Sequence, residues 1–272
     1  MSNITILQNT FHRNPYLRET VCLNLLALKQ AKANFQYIVF NDHGDEEIWN
    51  DIREFKNDIE YFYSPINYGR RMGRGGWLGG LHLVKHEYLH VADQDDVMTP
   101  LFYKTVITYL DNSPDVYVVF TNGFLSDDKL RSDTAIISPG YWNDYKNPIE
   151  SFKVWYGIKQ PENKVTQANN GVLGPGTVYR TDLHKLVGTP DGEYGGAYDF
   201  EYWSRILFNG YKMEYIPQLL WYYRQSNYSA GNEIIDGKPN RGHWQQQNIE
   251  KIKQKYAKLW KERVDAETHS NT

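Results

Sequence analysis

Short apolar runs alternate with helix-patterned segments along the first half of the chain, and that alternation limits the folds open to it. ITILQ (4–8), QYIVF (36–40), IEYFY (59–63), EYLHVA (87–92) and VYVVFTN (116–122) are each long enough for a buried strand. Between the first two, Asn14-Pro15 offers a helix start, and Leu17, Val21, Leu25 and Leu28 recur at helical spacing. Asp45, Glu46 and Glu47 suit the opening turn of a further helix, with Ile48, Ile52 and Phe55 on its face. Strands joined through helices need crossover connections, so the pattern predicts an α/β fold with a mainly parallel sheet. Ligands of such sheets bind beyond the carboxyl ends of the strands. That rule selects NDHGDEE after the second strand and DQDDVM after the fourth, both acidic.

The later sequence is less regular. Residues 126–175 are polar, with Pro148 and Pro161, and suit an insertion or lid. A helix is expected over Asp199–Asn209, closed by Gly210. A strand is expected over 212–216, ended by Pro217, and an amphipathic helix over 244–265. No repeat or linker divides the 272 residues, so one domain is expected. Within it, a first half spans about 1–122, a second about 123–243, and the C-terminal helix 244–265. Net charge is −3, which argues against a global nucleic-acid field. Cys22 is the only cysteine, which suits a reducing compartment and a small buried side chain. The N-terminus lacks a signal-peptide pattern, and no apolar run approaches the ~18 residues of a membrane span, so a soluble cytoplasmic protein is expected. The 22 Tyr and 8 Trp either fill the core or stack on sugar and nucleobase faces.

Asp93 and Asp95 stand two apart in an extended segment, which turns both to one side. Hard carboxylate oxygens converging there suit Mg²⁺ or Mn²⁺ bridging a diphosphate; the alternative is a solvated acidic turn. Asp42 either accepts from a nucleobase or ribose, or is an ordinary turn residue. The run NYGRRMGRGGWLGG (67–80) is neither a Walker loop nor a Rossmann fingerprint. It carries Arg70, Arg71 and Arg74, at least one of which is expected near a phosphate, unless the loop is a solvated basic turn. Asp199, where a helix should begin, is either an N-cap or a general base, and spacing does not choose between them.

Together, TILQNTFHRNPYLRETVCLNLLAL, YIVFNDHGDEE, NYGRRMGRGG, YLHVADQDDVMTP and GGAYDFEYWSRILFNGYKMEYIPQLLWYYR resemble, in order, the family 2 glycosyltransferases of the GT-A fold, from residue 3 to about 224. The resemblance implies a nucleotide-diphosphate sugar donor, Mn²⁺ or Mg²⁺, an acceptor glycan, glycolipid or other hydroxyl compound, and inversion at the anomeric carbon. It implies that Asp95 ligates the metal and that Asp93 meets the ribose or the metal. Thr10, Arg13 and Asp42 would serve the donor, Asp199 would be the base, and Arg224 would lie near the diphosphate. Two departures stand out. Tyr198-Asp199 replaces the usual Glu-Asp, and no histidine follows Arg224, so His243 is a distant candidate for the missing metal ligand. Unusual glycines around Trp77 are read as a mark of a particular donor. A nucleotidyltransferase would need a glycine-rich loop after the first strand, which QNTFHRNP does not supply. A non-catalytic carbohydrate-binding protein would not need Asp93, Asp95 and Asp199 together. A transferase acting on a modified base in DNA is the remaining alternative, without support from the net charge.

Overall fold

The computed structural model describes residues 3–69, 75–136, 174–225, 234–235, 238–239 and 244–270. Arg70, Arg71, Arg74 and His243 lie outside them, as does most of the expected insertion. The expected strands form as β1 (Asn3–Thr10), β2 (Asn34–Asn41), β3 (Glu60–Tyr63), β4 (Tyr88–Ala92) and, after a two-residue β5 (Val97–Met98), β6 (Val116–Ser126). They continue as β7 (Thr134–Ile136), β8 (Thr177–Arg180) and β9 (Lys212–Arg224). The sheet runs β3-β2-β1-β4-β8-β6-β9-β5, with β7 on β6. β3, β2, β1 and β4 are mutually parallel, as are β6 and β9, while β8 is antiparallel to both its neighbours. The parallel half therefore ends Thr10, Asn41 and Ala92 on a single edge.

Alternate strand residues feed two cores, as the pleat requires. Ile4, Ile6, Tyr37 and Val39 face α1 (Leu17–Gln30), which contributes Leu17, Val21, Leu25 and Leu28. Leu7, Ile38 and Phe40 face the opposite layer. Between β2 and β3, the expected helix shrinks to α2 (Ile48–Ile52) and a 3₁₀ turn through Phe55. The opposite layer holds α3 (Gly75–Gly80), and α4 (Phe102–Asn112) covers the first core with Phe102, Val106 and Leu110. After the short α5 (Leu183–Leu186) come α6 (Tyr198–Phe208) and α7 (Trp244–Ser270), which meet the second core through Trp203, Ile206, Ile252 and Tyr256. No helix among the described residues is long and apolar enough to cross a membrane.

Three local expectations change. α1 starts at Leu17, because the Asn14 carboxamide accepts the Tyr16 N–H and makes a turn before the helix. Pro217 does not end a strand: β9 continues to Arg224, and its pairing with β6 steps from Ile216 to Leu219, so a bulge accommodates the proline. The glycines beside Trp77 have a packing reason. A Cβ at Gly80 would stand 2.4 Å from a Leu7 methyl, and one at Gly79 would stand 2.8 Å from the Phe40 ring, so α3 lies directly on β1 and β2.

Candidate active site

The edge formed by β1, β2 and β4 is built by buried polar side chains that grip the acidic segment by its backbone. Gln8 Nε2 donates to the Asp93 carbonyl at 3.0 Å. Asn24, buried on α1, accepts the Met98 N–H at 2.8 Å and points its amide at the Asp96 carbonyl. Thr10 Oγ1 donates to the Gln94 side chain at 2.8 Å, which puts Thr10 against the acidic segment. With the carbonyls satisfied inward, Asp93 is left open to solvent and Asp95 lies just beneath the surface.

Asp93 and Asp95 are close enough to repel. Desolvation, then the charges of Asp95 and Asp199, push the Asp93 carboxyl up to about 7. Because Asp93 is solvent-exposed, the two like charges are the more secure cause. Among the described residues, no Lys or Arg is among the groups that shift it. Asp96 is buried; its Oδ1 accepts the Arg224 N–H at 3.3 Å, and its Oδ2 has no hydrogen-bond partner. Burial, followed by Asp95 and Asp93, holds its carboxyl well above the ordinary range.

Asp199 stands in the first turn of α6 and its charge reaches Asp93, so α6 and β4 bring these two carboxylates together. It is not the N-cap. Ala197 holds that place without a side-chain bond, and Asp199 Oδ1 accepts from the Phe200 N–H at 2.7 Å. Asp199 is half-buried, and its charge is felt at Asp93.

The remaining expected residues divide. Asp42 is buried, and its two oxygens accept the Tyr68 and Gly69 N–H groups at 2.7 and 2.8 Å, at the start of the arginine-bearing segment. Burial pushes its carboxyl up, and those two bonds pull it back. Arg13 turns away from the edge to the surface, where it forms a forked pair with Asp51 on α2, both contacts at 2.7 Å. Arg224 is fully buried and does not present its guanidinium to a diphosphate at the surface. Its Nε donates to the Asp95 carbonyl at 3.2 Å, one Nη to the Asp128 carbonyl and the other to Glu19, and its plane lies 4.2 Å over the Tyr16 ring. The arginine therefore clamps the acidic segment to α1 and to the turn after β6. Gln8, Asn24 and Gln94 escaped the sequence reading. Each acts across 70 residues or more, and only the alternation of Gln8 and Thr10 among apolar neighbours in β1 hinted at them.

No group of three or more His, Cys, Asp and Glu side chains arranged to hold a metal ion occurs among the described residues. The acidic pair nevertheless suits Mg²⁺ or Mn²⁺ of the kind that takes one or two carboxylates and completes its shell with substrate phosphates and water. Among the described residues no cationic side chain acts on the exposed Asp93, and two clustered carboxylates fit as a donor set for such an ion.

The model of the family described as "Glycosyl transferase family 2" matches residues 5–171, more than half the chain. The chain belongs to glycosyl transferase family 2. This family 2 chain is 20% identical over 230 residues to an uncharacterized glycosyltransferase, MJ1057, of Methanocaldococcus jannaschii, covering 82% of this chain and 71% of the relative. Staphylococcus aureus TarS has a similar structure, with TM-score 0.57 and 15% identity over 84% of this chain. TarS 1–349 in complex with UDP-GlcNAc superposes with TM-score 0.56 at 14% identity over 83% of this chain. The mannosyltransferase PcManGT from Pyrobaculum calidifontis, in complex with GDP-Man and Mn²⁺, gives TM-score 0.56 at 12% identity over 81% of this chain. The chain spans only 37% of TarS, 59% of its 1–349 fragment and 56% of PcManGT. At these identities the likeness is one of fold, the GT-A fold, and the family 2 chain is a glycosyltransferase.

Proposed function

We propose that the chain transfers a sugar from a nucleotide-diphosphate donor to an acceptor hydroxyl with inversion at the anomeric carbon, at the edge where Asp93, Asp95 and Asp199 meet. The observation that carries this reading is that Asp199, far along the chain, acts electrostatically on Asp93. That proximity supports Asp199 as the proton acceptor beside a carboxylate pair suited to a divalent cation. In a single displacement the acceptor oxygen bonds to the anomeric carbon as the bond from that carbon to the diphosphate oxygen breaks. The hydroxyl proton passes to the Asp199 carboxylate, and the electron pair leaves with the diphosphate. One base and no enzyme nucleophile suffice, and inversion follows. Mn²⁺ or Mg²⁺ held by Asp93 and Asp95 would neutralise charge on the leaving diphosphate. Thr10 and Asp42 line the nucleoside end; each Asp42 oxygen keeps a lone pair beyond its backbone bond for a nucleobase N–H. The neighbours' UDP-GlcNAc and GDP-Man complexes support a nucleotide-sugar donor, and the Mn²⁺ in PcManGT supports the metal.

A thermal-shift panel of nucleotide sugars with and without Mn²⁺ tests the reading, because a ligand of the folded state raises Tm. A Mn²⁺-dependent rise is expected with a uridine, guanosine or thymidine diphosphate sugar. Asp95→Ala should abolish it, whereas Asp199→Asn should keep it and stop transfer. A rise that survives in Asp95→Ala would overturn the metal assignment, and full transfer by Asp199→Asn would overturn the base.

A further inference from the structure

Tyr198 opens α6, directly before Asp199. The ring is half-buried and held edge-on against Trp77, with centroids 5.5 Å apart and planes at 71°. Trp77 is itself fixed, donating to the Tyr179 hydroxyl at 2.8 Å and packing on Tyr202 and Trp203. The phenol is thus placed by α3 on one side and by its own helix on the other. Its hydroxyl makes no hydrogen bond among the described residues, although the charges of Asp93 and Asp199 both act on it. Burial, then those two charges, push the phenol up, so it stays protonated and is available as a donor.

We propose that the Tyr198 hydroxyl hydrogen-bonds a sugar hydroxyl at the transfer centre and so selects which sugars react. The proposal rests on the glycosyl-transfer reading above and deepens it. A phenol there offers one directional donor without adding a negative charge beside three carboxylates, so it favours a substrate presenting a hydroxyl acceptor at that point. A site built to bond a substrate hydroxyl discriminates strongly against analogues lacking it. The hydroxyl belongs either to the sugar being transferred or to the acceptor, and the two sources separate by experiment.

Tyr198→Phe keeps the ring and its contact with Trp77 and removes only the hydroxyl. The full-length chain is assayed with Mn²⁺ on UDP-GlcNAc, UDP-glucose and GDP-mannose, for donor hydrolysis and for transfer to methyl glycosides. The variant should keep the wild-type Tm and the Mn²⁺-dependent affinity for bare UDP and GDP. It should lose roughly tenfold or more in kcat/KM in at least one reaction, as expected for a hydrogen bond made at the reacting centre. Loss in hydrolysis and transfer alike assigns the hydroxyl to the donor sugar; loss in transfer alone assigns it to the acceptor. Rates within about twofold of wild type in both reactions would overturn the proposal, since that change lies below the loss of one useful hydrogen bond. A wild-type chain that turns over no nucleotide sugar would instead sink the glycosyl-transfer reading.

Discussion

Individual polar residues shape this edge by their capacity to donate as well as accept. Asn41, where the family pattern has an acid, donates from one amide nitrogen to the Asp45 carbonyl at 2.8 Å and to the Tyr61 hydroxyl at 2.9 Å, while its oxygen accepts the Gly44 N–H at 2.8 Å. A carboxylate could accept but not donate, so Asn41→Asp should unfasten this turn and cost about 1–3 kcal/mol in chemical denaturation. Gly44 is equally constrained: a Cβ there would stand 1.7 Å from the Phe11 carbonyl oxygen. Backbone cannot yield as a side-chain tip can, so Gly44→Ala should separate the loops after β1 and β2 and lower both Tm and donor affinity. His90, buried on β4 between the Tyr103 hydroxyl and the Pro175 carbonyl, has its pKa lowered to about 4 by burial, against which the Pro175 bond works. The unfolded chain, titrating near 6.5, binds the proton first. Stability from this group is therefore present above pH 6.5 and lost as pH falls from 6.5 to 4, by on the order of 3 kcal/mol. The slope of stability against pH over that window should flatten in His90→Gln, and an unchanged slope would remove His90 from the account.

At the scale of elements, α6 is held from behind by a buried acid. Glu201 is fully buried and takes Arg205 from its own helix and Lys255 and Tyr256 from α7 at 2.8 and 2.9 Å. Removing one partner of such a network strands the others, at a cost on the order of 3 kcal/mol. Glu201→Ala should therefore destabilise the fold by about that amount in urea titration, and because α6 carries Tyr198 and Asp199 it should depress transfer more than donor binding. Glu201→Gln, which keeps the shape and one acceptor, should do less. This role was not visible in the sequence: Glu201 sits among aromatic residues as one more acid in a first turn, and its partners arrive from 54 residues further on. The strands tell the opposite story. β1, β2 and β4 carry apolar runs whose alternate residues enter cores on both faces, so they could be read directly. β8, four residues of TVYR, offered no such run and was found only in the folded chain.

For the molecule as a whole, the sequence made the edge legible and left its scaffolding hidden. Asp93 and Asp95 could be marked because parallel strands send their loops to one side and carboxylates there are chemically conspicuous, whereas Asp199 was marked through the family resemblance. Arg224 could be marked but not understood. A guanidinium beside an expected diphosphate and one locked under a loop carry the same letter, and only contacts with Glu19, Asp95 and Asp128 distinguish them. Arg224→Lys keeps the charge but loses the fork, so it should weaken Mn²⁺ binding measured by electron paramagnetic resonance several-fold, while Arg13→Lys, on the surface, should leave it unchanged. The same arginine ties the assembly of the site to the order in which the chain is made. β5 pairs with the far end of β9, Val97 opposite Tyr222, and the next turn of backbone is fastened by Arg224. A nascent chain that has emerged only through β6 owns every acid of the β4 loop and the Gln8, Thr10 and Asn24 side chains that grip it, yet lacks the Arg224 clamp and the pairing of β5 with β9. The acidic loop thus gains its last fastenings only when β9 arrives, late in synthesis.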